Sequence, residues 1–303
     1  MTGDGFKCGS VALLGRPNVG KSTLMNTIIG VRAAIVTPKP QTTRQRILGI
    51  YTDDRCQVIF VDTPGIHKAR SNLNRGMVRE AYAAAAEADM LVIMQDVTRP
   101  LDSMTRAMIR NFSSGSKPRI HLLNKVDRLK KSALLPRIAD TAALDDGAVA
   151  CIPVSAMKGI QIEPLLTTII EHLPMGEVRY DPEWYTDQSQ RQLASEYVRE
   201  QVFLAMDQEI PFQTAIEVES FREASDKGQG MEIGAVIIVA SERHKPMVIG
   251  KGGRQIKEIG TRARLALQDL FGCSVRLDLW VKVQPGWFES PRQLHEFIFG
   301  SNG

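Results

Sequence analysis

Cysteine is scarce in this 303-residue sequence, and the four that occur, Cys8, Cys56, Cys151 and Cys273, stand far apart. No CxxC pair and no histidine cluster at ligand spacing accompanies them. That argues against a disulfide scaffold or structural zinc and fits a reducing compartment. Long apolar runs are missing too. Stretches such as Ile233 to Ala240 are strand-sized, well short of the ~20 residues that cross a bilayer. Met1 to Lys7 is polar and carries no apolar core of a signal peptide. Aromatic residues amount to 6% and the net charge is only +4, so composition by itself points to no polyanionic partner. A soluble, cytoplasmic chain is the expectation, long enough for two separate cores.

What is present is strict alternation. Val11 to Leu14, Val58 to Val61, Met90 to Met94, Ile120 to Leu123 and Val149 to Val154 read as buried strands. Lys21 to Ile29, Arg75 to Ala88, Ser103 to Asn111, Ala133 to Ala143 and Ile162 to His172 read as the helices between them. Such succession predicts an α/β domain over 1–173, a mostly parallel sheet with helices on both faces. Gln45 to Phe60 leaves no room for a helix and predicts a hairpin, hence one antiparallel edge strand. Residues 174–190 hold Pro174, Gly176 and Pro182 without period and read as a linker. From 191 to 303 the order is helix (Gln192 to Met206), strand (Thr214 to Phe221), turn (Asp226 to Gly230) and strand (Glu232 to Ser241). A short helix, a long helix (Arg254 to Phe271), a strand (Ser274 to Val283) and a tail complete this smaller α+β domain.

Gly15-Arg16-Pro17-Asn18-Val19-Gly20-Lys21-Ser22, followed by Thr23, satisfies GxxxxGKS between a strand and a helix. Glycines let backbone N–H groups wrap phosphates, and the helix terminus adds positive potential. Lys21 would reach the terminal phosphates and Ser22 would ligate magnesium. Asp62-Thr63-Pro64-Gly65 ends another buried strand, where a carboxylate holds magnesium and the Gly65 N–H can meet the γ-phosphate. Asn124-Lys125-Val126-Asp127 selects the base. An aspartate so placed accepts from guanine N1–H and its exocyclic amine, whereas adenine would leave buried groups unpaired. Asn124 is expected to tie this loop to the phosphate loop, with the Lys125 stem over the base. Ser155-Ala156, after the last strand, would add a backbone N–H toward the guanine oxygen. Thr42 and Thr43 both qualify as the threonine that completes the magnesium shell.

Hydrolysis needs an oriented water. Signalling GTPases carry glutamine directly after the glycine of the second motif, but here that place holds Ile66. The four motifs resemble those of the translation-factor-related GTPases, and the resemblance implies one remedy, Asn18 holding a potassium ion against the phosphates; the alternative is a turn former suited to left-handed geometry. Arg44 or a partner's side chain could instead supply the charge.

Val248-Ile249-Gly250-Lys251-Gly252-Gly253-Arg254-Gln255-Ile256 fits the GxxG signature of a KH domain, whose loop presses its backbone on four nucleotides. Between Arg243 and Arg264 seven basic residues face the single acidic Glu258, an electrostatic footprint for nucleic acid. Candidate RNA contacts are Gly250, Lys251, Gly252, Gly253, Arg254 and Lys257. The helix–strand–strand–helix–helix–strand order is the type II arrangement. Trp184, Trp280 and Trp287 are expected as packing anchors.

The four nucleotide motifs resemble the translation-factor-related GTPases, which implies a six-stranded sheet. Together with the linker and the type II KH domain, the chain from Val11 to about Trp287 resembles the Era family. The resemblance implies a bacterial, cytoplasmic GTPase using GTP, GDP and Mg2+, with K+ as a further ion. It implies binding of the 3′ end of small-subunit ribosomal RNA and assistance to maturation of the pre-30S particle. Some family members also associate peripherally with the inner membrane, and a monomer is expected. GTP would favour a free RNA surface, and RNA would in turn favour hydrolysis. The tail from Gly286 to Gly303 departs from the family's usual pattern.

Overall fold

In the computed structural model, which describes residues 5–68, 71–223 and 230–299, the chain forms two units. The first contains β1 (Lys7–Gly15), α1 (Lys21–Ile29), β2 (Ile47–Thr52), β3 (Cys56–Asp62) and α2 (Asn72–Glu87). It continues with β4 (Met90–Asp96), α3 (Ser103–Ser113), β5 (Arg119–Asn124), α4 (Leu134–Ala142), β6 (Ala150–Val154) and α5 (Ile162–His172). The sheet runs β2-β3-β1-β4-β5-β6. Only β2 is antiparallel to its neighbour, as the hairpin reading expects.

Period-2 alternation explains why both faces are covered. Val11 and Leu13 of β1 pack with Leu24 and Met25 of α1 and Leu165 and Ile169 of α5. Ala12 and Leu14 point the other way, into a second core with Ala81 and Ala85 of α2 and Met108 and Ile109 of α3. Because β1 lies between β3 and β4, strand order reverses beside its carboxyl end, where open α/β sheets place their ligand crevice. Asp102 caps α3, its carboxylate accepting from the Thr105 N–H at 2.8 Å, a contact type worth ~1 kcal/mol.

The exposed edge of β2 is sheltered. The Ile50 N–H donates to Tyr185 O at 2.9 Å and the Thr186 hydroxyl to Leu48 O at 2.7 Å. Gln57 reaches the same strap, donating to Tyr180 O and accepting from the N–H groups of Arg179 and Tyr180. Residues up to Asp187 therefore belong to the first unit. The strap blunts an edge that would otherwise invite strand addition.

The second unit contains α6 (Gln190–Ala205), β7 (Thr214–Arg222), β8 (Met231–Val239), α7 (His244–Ile249), α8 (Arg254–Phe271), β9 (Val275–Val283) and α9 (Pro291–Leu294). It also takes in residues 35–42 and 71–73. A Ser189–Gln192 capping box starts α6. β8 pairs antiparallel with β7 and parallel with β9, and the elements follow the helix–strand–strand–helix–helix–strand order expected for type II. Of the turn expected at Asp226 to Gly230, residues 226–229 lie outside the described residues. The core joins Tyr197 and Val198 of α6, Ile233, Ala235 and Ile237 of β8, and Ile259, Ala263 and Leu267 of α8, with Ile35 beside them. Of the three tryptophans only Trp287 is fully buried, its indole N–H donating to Gln213 O and its ring meeting Phe297 edge-on at 5.8 Å. Trp280 is 40% exposed and Trp184 54% exposed, so the expectation of three packing anchors holds fully for one. Among the described residues no helix is long and apolar enough to cross a membrane.

Candidate functional site

The four nucleotide motifs sit at the carboxyl ends of β1, β3, β5 and β6, on one rim of the first sheet. Asn124 joins three of them. Its amide donates to Val19 O at 2.7 Å, and its carbonyl accepts the Ala156 N–H at 2.9 Å. Lys125, at φ 71°, donates to Asn18 O at 2.7 Å and to the Asp96 carboxylate at 2.6 Å. Asp127 receives the Ser155 hydroxyl at 2.6 Å. Phosphate loop, base loop and Ser155-Ala156 are thus one hydrogen-bonded structure.

Lys21 lies buried, its ammonium directed at the carbonyls of Gly15 and Arg16. Arg16 pairs with Asp102, which the motifs did not single out. Asn18 adopts φ 62°, so its backbone has the left-handed geometry that asparagine tolerates. The Thr63 hydroxyl is spent on Leu13 O at 2.6 Å. Ile66 is in the core, while its N–H donates to Gly15 O at 2.9 Å.

Three oxygens converge beside Lys21. Ser22 Oγ lies 2.5 Å from Asp62 Oδ2 and 3.0 Å from Thr43 Oγ1, which is itself 3.2 Å from the same carboxylate oxygen. Among the described residues, the buried Asp62 Oδ1 has no hydrogen-bond partner. Burial pushes the Asp62 carboxyl up and the Lys21 ammonium down from their ordinary values. Both charges want a counter-ion, and a metal-bound polyphosphate supplies both signs at once. Two hydroxyls and a carboxylate with a free lone pair suit a hard cation such as Mg2+. Among the described residues no three His, Cys, Asp or Glu side chains gather into an all-protein cage, so such an ion would complete its shell with phosphate oxygens and water. Thr42, by contrast, bonds Thr37 and Lys39 O at 2.7 and 2.8 Å within the second unit.

In the second unit Gly250 holds φ 73° and ψ 170° between α7 and α8. A Cβ there would meet Gln255 Cβ at 2.7 Å, so only glycine closes this turn. Gly252 and Gly253 are also left-handed, at φ 60° and 76°. Lys251, Arg254 and Lys257 are exposed along the start of α8. Beside them a groove of about 280 Å³ runs between α8 and β9, lined by Ile256, Gly260, Leu277 and Leu279 together with Lys257, Thr261, Arg264 and Asp278. Sequence reasoning reached the loop but not this groove. Its one signal was Gly260, a helix position without a side chain that faces Leu279 of β9.

Comparison with known proteins agrees with this layout. Residues 10–125 match the family described as 50S ribosome-binding GTPase, and residues 211–288 match the KH domain family. GTPase Era of Syntrophus aciditrophicus is 41% identical over 293 residues, covering 96% of this chain and 95% of the relative. GTPase Era of Xanthomonas oryzae is 42% identical over 299 residues, covering 98% of each. The crystal structure of an Aquifex aeolicus Era variant bound to GDP.AlF4− superposes with a TM-score of 0.92 at 36% identity, covering 96% of this chain and 99% of that one. A structure of Era with MgGDPNP and nucleotides 1506–1542 of 16S ribosomal RNA gives the same TM-score and identity, covering 96% and 98%. With relatives this similar over nearly the whole length, the chain belongs to the GTPase Era family.

Proposed function

We propose that this protein is a GTP-hydrolysing switch that holds the 3′ end of small-subunit ribosomal RNA on its second unit and assists maturation of that subunit. The observation that carries the reading is the Asn124 amide, which binds the guanine-selecting loop and the phosphate loop into one site. Lys21 and the loop from Gly15 to Thr23 take the phosphates, and Asp127 reads the base edge. Asp62, Ser22 and Thr43 hold Mg2+, which when bound offsets charge on the β- and γ-phosphates. Thr43 is preferred over Thr42 for that shell, a reading supported by the bonds of the Thr42 hydroxyl to Thr37 and Lys39 O.

RNA lies along the Gly250-Lys251-Gly252-Gly253 loop and Arg254 and Lys257, with bases entering the α8–β9 groove. The apolar residues of that groove suit base faces, and Lys257 and Arg264, set against the single Asp278, suit phosphates. Support comes from the related Era crystallised with a 16S ribosomal RNA fragment. Cytoplasmic residence with peripheral contact to the inner membrane belongs to the same reading, and any such contact would run through a surface.

The test is base selection. Asp127→Asn should weaken GTP by about a thousandfold and improve xanthosine triphosphate, whose extra carbonyl accepts from the new amide. Unchanged GTP affinity, or equal binding of ATP by the parent protein, would remove Asp127 from the guanine site.

A further inference from the structure

We infer that His67 positions the water that attacks the γ-phosphate, the task Ile66 cannot perform; this rests on the GTPase reading above. Ile66 is only 5% exposed and packs in the core with Ala12, Leu14 and Ala81, so its side chain is committed to the sheet. The next residue is held otherwise. His67 Nδ1 lies 2.7 Å from Gly65 O. A carbonyl oxygen can only accept, so Nδ1 carries the proton, and in the neutral ring Nε2 is left with a lone pair.

That Nε2 is buried and, among the described residues, has no hydrogen-bond partner. Leaving a buried acceptor orphaned is costly, and such atoms commonly await a water or a ligand. The ring is anchored to the backbone nearest the phosphate loop. A Cβ on Gly65 would come within 2.6 Å of Pro17 N and 2.7 Å of Pro17 Cα. Ile66 N–H, one residue on, bonds Gly15 O. The buried acceptor therefore hangs from the segment that closes against the phosphates, with its tautomer set by that same segment.

In the step this assigns, a water donates one hydrogen bond to Nε2 and turns an oxygen lone pair toward the γ-phosphorus. The new P–O bond forms as the bond to the β–γ bridging oxygen breaks, and that electron pair leaves with GDP. The water's second proton ends on a phosphate oxygen, giving GDP and dihydrogen phosphate. Histidine itself is unchanged. Glutamine's carbonyl does the equivalent orienting in signalling GTPases, and here an imidazole one position later does so.

The test uses the full chain and the variants His67→Ala and His67→Gln. His67→Ala should lower single-turnover hydrolysis about a hundredfold, with Kd for GTP and GDP within about twofold of the parent. Its affinity for GDP with aluminium fluoride should fall with the rate. His67→Gln, which offers an amide oxygen, should recover much of both. Nitrogen-15 NMR of the parent, with His67 assigned from the His67→Gln difference, should show the neutral ring protonated at Nδ1. Parental turnover in His67→Ala, an Nε2-protonated neutral ring, or GTP affinity falling in step with the rate would each overturn the proposal. A parent that binds no GTP would instead bring down the nucleotide reading beneath it.

Discussion

Thr42 and Thr43 are adjacent in the chain, yet their hydroxyls serve different masters. Thr43 lies 3.0 Å from Ser22 Oγ in the first unit, while Thr42 bonds Thr37 at 2.7 Å in the second. Thr43→Val should therefore cut Mg2+-dependent hydrolysis about a hundredfold and weaken a non-hydrolysable GTP analogue more than GDP. Thr42→Val should leave Mg2+-dependent analogue binding near the parental value. Magnesium titrations against both variants check this, and the reverse ranking would reassign the ligand.

Potassium is the next question. If the Asn18 side chain helps hold a potassium ion, turnover should rise in potassium over sodium, and Asn18→Ala should abolish that difference while GTP still binds. Asn18→Gly is the control, because glycine accepts φ 62° freely. Equal rates of the parent in both salts would leave Asn18 with a backbone role alone.

Charge reversal in the GxxG loop should silence RNA without harming the nucleotide site. Lys251→Asp with Gly252→Asp places two carboxylates beside the phosphate path. Gly252 is left-handed but faces open space, so aspartate there costs about 1 kcal/mol of strain and no collision. We expect loss of RNA binding and a flatter salt dependence, since fewer counterions are released. GTP affinity and basal hydrolysis should stay at parental levels. Filter binding at several salt concentrations measures the slope, and parental affinity with parental slope would move the RNA site elsewhere.

Stability should carry an acid limb set by a buried triad. Arg119 donates to both Asp145 oxygens at 2.6 Å, and His121 Nε2 donates to the same carboxylate at 2.8 Å. Hydrogen bonds from Arg119 hold the Asp145 carboxyl well below the usual range, and burial pushes the His121 imidazole down. Both folded-state values lie below their unfolded ones, so folding releases protons and both contributions are full at high pH. Stability should start to fall as pH drops below about 6.5 and fall further below about 3.9, the two unfolded values. Asp145→Asn should cost ~3–5 kcal/mol at neutral pH by leaving Arg119 buried without its counter-charge. Denaturant melts at pH 7, 5.5, 4 and 3 test both statements, and a parental midpoint in Asp145→Asn would sink them.

Much of the nucleotide site was legible because its chemistry admits few residue types. A phosphate loop needs Gly15, Gly20, Lys21 and Ser22 at one spacing, and a guanine reader needs Asn124 and Asp127, so these positions announce themselves. The hairpin at the sheet edge was legible for a similar reason, since no helix fits between Ile47 and Phe60. The choice between Thr42 and Thr43 was not legible, because two neighbours with the same hydroxyl differ only in the direction each faces. His67 was passed over because a lone histidine two residues past Gly65 has no meaning until its two ring nitrogens are seen to differ.

By itself, then, the sequence determined the element types and their order, the nucleotide motifs, and the basic GxxG loop. These depend on local spacing and on side-chain chemistry at fixed offsets. Only the tertiary structure decided that Tyr185 and Thr186 strap the β2 edge, that 35–42 pack with the second unit, and that Gly260 opens a groove onto Leu277 and Leu279. Each of those arises where segments far apart in the chain compete to bury the same surface. That competition is settled by shape and hydrogen-bond satisfaction in three dimensions, which no local pattern records.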